Sequence, residues 1–541
     1  MQLKADPSSE VKRAYTIARK YFQAGNLRAA QQAAEALLQA TPQFASGRRL
    51  YADILVGLGQ FPAARAQLEK ALALFPHDTV GRRPIHLHMA TTFIREGDMA
   101  GALGVLQSPD LAPEGDLEAG VLTQLGYLLT LCESHQKALQ IFEAALSKRP
   151  DDPLFLFNCA AANRAMGNLE RAEALYDRAL ALNPEDWEAY KNRSDLRKQT
   201  ADSNHVSELR QQLQRKDLPA VASVQLHFSL AKEYEDLGDY PASFDCLQRG
   251  CQTRRKTIDY QLGRDQSVMS GIADRFGPGF LAGGDVAESQ GQEVIFILGM
   301  PRTGSTLLDR LLCASGEVDS AGEPDTFARM LLRQANTTGE RNGGSNVILD
   351  AGEDLNIGEV GAAYVRQLAA RAQLAGASRI IDKNPMNFLY LGWIARALPG
   401  AKIIHLRRNP MDTCYAIYKT LFKSAYPFSY DQVELAGYYA AYRTLMRHWK
   451  SVFNDRIIEV HYEDLVTDLS AEGKKLYEAC GLAWHDSVMD AYYTQGKGTA
   501  TASAAQVRQP VYRSSVNKWH HLHEQLAPMQ EILTQAGIVY E

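Results

Sequence analysis

No apolar run in this 541-residue chain approaches the ~20 residues that a membrane-spanning helix needs, so no membrane partner is expected. The opening stretch MQLKADPSSEVKRAY lacks the apolar core of a secretory signal, and a cytoplasmic location is expected. Cysteine is sparse. The seven residues (Cys132, Cys159, Cys246, Cys251, Cys313, Cys414 and Cys480) are dispersed with no Cys-x-x-Cys pair, which fits reduced thiols in a reducing compartment. No charge sign dominates either: 58 Lys and Arg stand against 63 Asp and Glu, a net charge of −5. That balance argues against wholesale nucleic-acid binding. What remains is a soluble globular composition, 45% hydrophobic and 22% charged, in a chain long enough to require at least two domains.

The most informative segment is Val294 to Thr306, VIFILGMPRTGST. Five apolar residues, Val294 to Leu298, read as a buried strand, and Leu307 to Leu312 is apolar at helical spacing. A strand that feeds a Gly-rich turn opening a helix makes an anion site, because backbone N–H groups and the positive helix end point at whatever sits above the turn. The spacing matches Gly-x-x-x-x-Gly-Lys-Ser/Thr except that Ser305 stands where the phosphate-binding Lys belongs. A loop that keeps the cradle, lacks that Lys and carries Arg302 points to a phosphate group other than a nucleoside triphosphate tail.

Before this segment, residues 1–285 repeat with a period of about 34, the tetratricopeptide spacing. Gly25-Asn26, Ala30, Leu37 and Pro42 recur as Gly59-Gln60, Ala64, Ala71 and Pro76, and again as Gly167-Asn168, Ala172, Ala179 and Pro184. Gly97-Asp98 with Ala102, and Ala138 with Ala145 and Pro150, supply further units; another follows at Gly238-Asp239 with Ala242, after a charged stretch near 199–216 that breaks the register. The Gly turns the chain between paired helices, the small Ala lets them approach, and the Pro ends the second helix. A single unit cannot bury its own apolar face, so the units are expected to stack into a helical solenoid. Its concave face would capture a peptide or protein; extension or dimerisation, including a homodimer, is the simpler use.

After the Gly-rich linker 277–284 the pattern changes. Short apolar runs at 294–298, 379–381, 402–406 and 457–461 alternate with amphipathic stretches at 361–377, 387–398 and 435–453. This predicts a parallel sheet flanked by helices over 286–541, with ligands outside the carboxyl ends of the strands. Polar groups follow those ends: Arg302, then Asp382-Lys383, then Arg407-Arg408, then Tyr462-Glu463-Asp464. Three cationic points, Arg302, Lys383 and Arg408, suit a ligand with more than one anionic group.

With these residues in view, the second half resembles the sulfotransferases that use 3′-phosphoadenosine 5′-phosphosulfate (PAPS), especially the protein-tyrosine sulfotransferase branch and its tetratricopeptide-fused members. Gly299-Met-Pro-Arg-Thr-Gly-Ser-Thr306 resembles the loop holding the 5′-phosphosulfate; Leu406-Arg-Arg-Asn-Pro-Met-Asp412 resembles the 3′-phosphate motif, with Arg408 as its arginine. Asp382-Lys-Asn-Pro385 and Val460-His-Tyr-Glu-Asp-Leu465 match further family elements, the latter placing Tyr462 near adenine. Ser503 to Pro510 and Lys518-Trp519 align with the segment that closes over the cofactor. The resemblance implies a P-loop-like PAPS site formed by Arg302, Thr303, Gly304, Ser305, Thr306, Arg408, Tyr462, Ser503 and Lys518, with 3′,5′-ADP as product. One position departs: the family Ser eight residues beyond the arginine is Ala416 here, and Thr413, Cys414 or Lys419 are candidate replacements.

The resemblance further implies sulfuryl transfer to an acceptor hydroxyl. Ala321-Gly-Glu-Pro-Asp325 lies at the family's Gly-Glu signature, with Glu323 as candidate base and Asp325 in reserve. Glu323, Arg302 and Lys383 would be the catalytic set. No metal is expected, since Arg and Lys supply the positive charge, and the tail His520-His-Leu-His523 reads as a polar helix face. Tyrosine of a peptide, a sugar hydroxyl and a small phenol all meet these requirements. Two alternatives stand beside this reading: a scaffold or adaptor with an inactive transferase domain, and a degenerate P-loop NTPase or kinase.

Overall fold

A computed structural model describes residues 8–112, 117–277, 279, 286–338, 349, 355–494 and 510–540. The chain divides into two compact units, Met1–Arg149 and Pro150–Glu541. The composition shift near residue 285 lies inside the second unit, which holds repeat helices and the sheet together.

In the first unit the expected helical pairs form as Ser9–Gln23 with Leu27–Ala40, Ala45–Gly57 with Phe61–Leu72, Thr79–Glu96 with Met99–Leu106, and Ala119–Leu131 with His135–Lys148. Gly97 turns between the third pair at φ 95°, and the next residue, Asp98, accepts from Gly101 N at 2.8 Å to cap the second helix. The fourth pair has no glycine at this point, and Glu133 takes the left-handed conformation instead. Ala30, Ala64, Ala102 and Ala138 are buried at the helix contacts, as close approach requires.

The second unit opens with two more pairs, Pro153–Met166 with Leu169–Leu182 and Ala220–Leu237 with Tyr240–Arg255. Between them the charged stretch folds into the helix Val206–Leu213, secured where buried Glu233 accepts from Ser194 Oγ at 2.6 Å and His205 N at 2.7 Å. In the last pair the close-approach role moves by one residue. Ala242 is only partly buried, while Ser243 is buried and donates to Ala231 O at 2.6 Å.

Five parallel strands follow: β1 (Val294–Gly299), β2 (Val318–Ser320), β3 (Arg379–Asp382), β4 (Lys402–Arg407) and β5 (Ile457–His461), in the order β2-β3-β1-β4-β5. β2 is the strand that periodicity missed, being three residues long with two of them polar. β1 is buried throughout, and its side chains alternate between two cores. Phe296 and Leu298 join Tyr364, Trp393 and Tyr442 on one face; Ile295 and Ile297 join Leu308, Leu311 and Leu465 on the other. From β1 the chain passes to the edge strand β2, returns inward through β3 beside β1, and then crosses to β4 and β5 on the other side. The crevice above β1 is therefore the topological switch point, where such sheets bind ligands.

Phe276, which ends the helix Leu262–Arg275, packs on this sheet layer. Its ring meets Trp393 edge-on at 4.5 Å and Trp449 at 5.5 Å, and its carbonyl accepts from His448 Nε2 at 2.7 Å. Phe276→Ala is expected to destabilise the second unit by about 3–5 kcal/mol. A fall in urea midpoint would report it; an unchanged midpoint would mean that this aromatic seam is not structural.

Candidate functional site at the carboxyl edge of the sheet

The loop after β1 is shaped by two glycines and an arginine. A Cβ on Gly299 would meet Leu406 O at 2.5 Å, so only glycine lets β1 lie this close to the end of β4. Arg302 and Gly304 both take positive φ, 65° and 101°, which turns the chain into the helix Ser305–Cys313. A Cβ on Gly304 would strike the Tyr462 ring at 2.5 Å. Thr303 is turned inward and donates to Met300 O at 2.9 Å, so its side chain braces the loop. Ser305 and Thr306 stand at the first helical turn, facing the recess.

Arg408, just beyond β4, reaches across to this loop. It donates to Arg302 O at 3.0 Å and Ser515 O at 2.6 Å, and its guanidinium lies 4.9 Å from the centre of the Tyr462 ring. Tyr462 is itself held by a 2.8 Å hydrogen bond between its hydroxyl and Ser515 Oγ. Burial, with Arg408 beside it, holds Arg302 below the ordinary arginine range. Among the described residues Arg408 Nε is buried with no hydrogen-bond partner. Two adjacent guanidinium groups and a buried donor to spare suit an anion.

Lys383 and Glu323 form the other side. Lys383 Nζ donates to Glu323 Oε1 at 2.8 Å; the lysine side chain is 2% exposed and the glutamate 43%. Their segments are tied together, with Lys383 N donating to Gly322 O at 3.0 Å and Asn384 Nδ2 to Pro324 O at 2.9 Å. Asp325 pairs with Arg329 at 2.6 Å and is not among the residues lining the recess. Asp382 points inward, accepting from Tyr364 Oη, Asn384 N and Asn387 Nδ2.

Three adjoining cavities meet at Arg302. The smallest, about 160 Å³, is lined by Arg302, Gly304, Arg408, Ala416, Lys419 and Lys518 among others. The largest, about 900 Å³, brings Arg302, Ser305, Thr306 and Glu323 opposite the repeat-side residues Lys191 and Gln225. A third, about 230 Å³, reaches Glu235 on the helix Ala220–Leu237. There Glu235 accepts from Lys419 Nζ at 2.8 Å, and from Lys518 Nζ and Tyr415 Oη. Burial alone would raise this carboxyl, but Lys419 and Lys518 hold it down at about 2. Sequence reasoning missed Glu235; nothing in a repeat helix marks one glutamate as a partner for distant lysines.

Most of the expected site thus lies around one recess. Arg302, Gly304, Ser305, Thr306, Arg408, Tyr462, Lys518 and Glu323 line it, and Lys383 stands behind Glu323. Ser503 lies outside the described residues. Asp412, quoted only as part of a motif, pins the C-terminal segment by accepting from Asn517 N at 2.6 Å and Trp519 N at 3.3 Å. The histidine tail lies on the exposed face of a short 3-10 helix, Lys518–Leu522, whose Trp519 and Leu522 are buried. His520 stacks on Trp519 at 4.1 Å and His521 on Tyr240 at 4.2 Å. Among the described residues no group of three or more His, Cys, Asp or Glu is placed to hold a metal ion, and no helix is long and apolar enough to cross a membrane.

Residues 294–486 match the sulfotransferase family, and residues 15–79 and 133–192 match tetratricopeptide repeats. The chain therefore carries a sulfotransferase-family domain together with tetratricopeptide repeats. A relative from Aquifex aeolicus (strain VF5), described as an uncharacterized protein, is 28% identical over 69% of this chain and 49% of its own length. The protein-tyrosine sulfotransferase of Drosophila melanogaster is 23% identical over 42% of this chain and 46% of its own. Protein-tyrosine sulfotransferase 1 of Danio rerio is 24% identical over 42% and 65%. The chain spans about half the length of the first two. A solved tetratricopeptide repeat protein from Parabacteroides merdae ATCC 43184 aligns with 47% of this chain and 95% of its own at 16% identity and a TM-score of 0.33.

The buried Asp382 gives the site a pH signature. Burial, opposed by its hydrogen bonds, pushes its carboxyl up from the ordinary 3.8 to about 6. The folded state then favours the protonated acid. The associated stability is complete below the ordinary value and is lost as pH rises through about 6. Asp382→Asn should flatten the urea midpoint between these limits; a slope equal to the wild type's would contradict this assignment.

Proposed function

We propose that the chain is a PAPS-dependent sulfotransferase that moves a sulfuryl group to an acceptor hydroxyl. The observation that carries this reading is the convergence of the Gly304 loop, Arg408 and the Lys383–Glu323 pair on one recess at the switch point of a sulfotransferase-family domain. Bound there, PAPS would supply an activated sulfuryl group on a phosphate leaving group. The loop N–H groups, Arg302, Ser305 and Thr306 would hold its 5′ end. Arg408, with its spare buried donor, would take the 3′-phosphate, and Lys518 would join it from the C-terminal segment. Tyr462, stacked on Arg408, would flank the adenine.

Glu323 would accept the proton from the acceptor hydroxyl. It fits because its side chain is partly exposed and lines the larger cavity while Lys383 pairs with Oε1. Arg302 and Lys383 concentrate positive charge where negative charge develops, a task of positioning and electrostatics that needs no further residue type. Asp325 is turned to Arg329 and serves less well as base.

A peptide or protein acceptor is favoured because repeat-side residues of the second unit, Glu188, Lys191, Asn192 and Val221, form the wall facing Glu323. A protein that keeps seven cysteines without a Cys-x-x-Cys pair suits a reducing compartment such as the cytoplasm.

Incubation with PAPS carrying labelled sulfate and a panel of tyrosyl peptides, phenols and sugars tests the reading. Wild type should label an acceptor, and Arg302→Ala and Lys383→Ala should fold normally yet lose at least about 100-fold in rate. Full activity in either variant would refute the assigned roles. Stabilisation by ATP–Mg but not by adenosine 3′,5′-bisphosphate would favour a nucleotide triphosphatase, and tight nucleotide binding with no transfer would favour an adaptor.

A further inference from the structure

The weak point of the donor site is Ala416, on the helix Pro410–Tyr418, whose methyl group lines the small cavity beside Arg408 where the family resemblance implies a Ser hydroxyl. Of the three nearby candidates to replace it, two are turned away. Cys414 is fully buried, and Thr413 is buried with its hydroxyl directed at Arg408 O, 3.4 Å away; neither is among the residues lining the small cavity. Lys419 is different. It follows Ala416 by three positions at the end of the helix Pro410–Tyr418, so both side chains leave the same face. Its side chain, 29% exposed, lines the small cavity with Arg408, Ala416 and Lys518.

We infer that Lys419 is a specificity residue for the nucleotide, supplying at the 3′-phosphate the contact that Ala416 cannot make. This rests on the donor-site reading above. The ammonium is already held at the cavity wall: Glu235, on a repeat helix, accepts from it at 2.8 and 3.0 Å, and it lies 4.7 Å from the centre of the Tyr415 ring. Burial, opposed by Glu235, lowers Lys419 to about 8, with Lys518 and Arg408 adding to the fall. A phosphate entering between Arg408, Lys419 and Lys518 would relieve that crowding of like charge. One lysine replacing one hydroxyl exchanges a neutral donor to the phosphate for a charged one, which is the stronger contact.

Calorimetric titration with adenosine 3′,5′-bisphosphate and with adenosine 5′-phosphate separates the two ends of the ligand. Wild type should prefer the bisphosphate. Lys419→Met should lose at least about tenfold of that preference while binding the monophosphate as wild type does, which also shows that the variant folds. Lys419→Arg should keep the preference, and adding Ala416→Ser to Lys419→Met should restore part of it. If wild type prefers the bisphosphate and Lys419→Met keeps the full preference, the role given to Lys419 is wrong. If wild type itself shows no preference, the donor-site reading fails first.

Discussion

The structure depends on how buried positive charge is held at the carboxyl edge of the sheet. Arg302, Lys383, Arg408, Lys419 and Lys518 gather around one recess, and charge removed from water is costly unless it is matched. Two carboxylates supply part of the match. Glu323 takes Lys383, and Glu235 takes Lys419 and Lys518. The guanidinium pair of Arg302 and Arg408 is balanced differently: Arg408 leans on carbonyl oxygens and the Tyr462 ring, and keeps a buried donor to spare. This arrangement is what leads us to propose an anion with two separated charges as the ligand.

Backbone geometry sets where that charge can stand. Glycine at 299 allows β1 to touch the end of β4, and the positive φ angles at Arg302 and Gly304 turn the loop so that the next helix begins under the recess. The order β2-β3-β1-β4-β5 then brings Lys383 to one side and Arg408 to the other. Glu235 adds a connection from outside the sheet domain, since the carboxylate comes from the helix Ala220–Leu237 that precedes β1. In the second unit the repeats are part of the wall of the recess and of its electrostatics.

Much of this was legible in the chain because it rests on local pattern. The glycine turns and small residues of the repeats, the apolar run of β1 and the Gly-rich loop each carry a signal within a few residues. The parts that were not legible depend on distance or on weak local signal. β2 is Val318-Asp-Ser320, too short and polar to show a strand period, and its place is set by pairing with β3. Asp382 sits next to Lys383 in sequence yet turns into the core to Tyr364. Glu235 is one acidic residue on a repeat helix, and only folding brings it to Lys419 and Lys518. The stacking of His520 on Trp519 and of His521 on Tyr240 was likewise not readable, since the second contact joins residues far apart in the chain.

We propose that this recess holds a nucleotide with phosphates at both ends of its ribose. The most direct measurement is a crystal structure of the full chain grown with adenosine 3′,5′-bisphosphate. One phosphate should lie on the loop at Gly304 and Ser305, and the other should bond to Arg408. A nucleotide bound elsewhere, or a recess still empty at saturating concentration, would contradict this proposal.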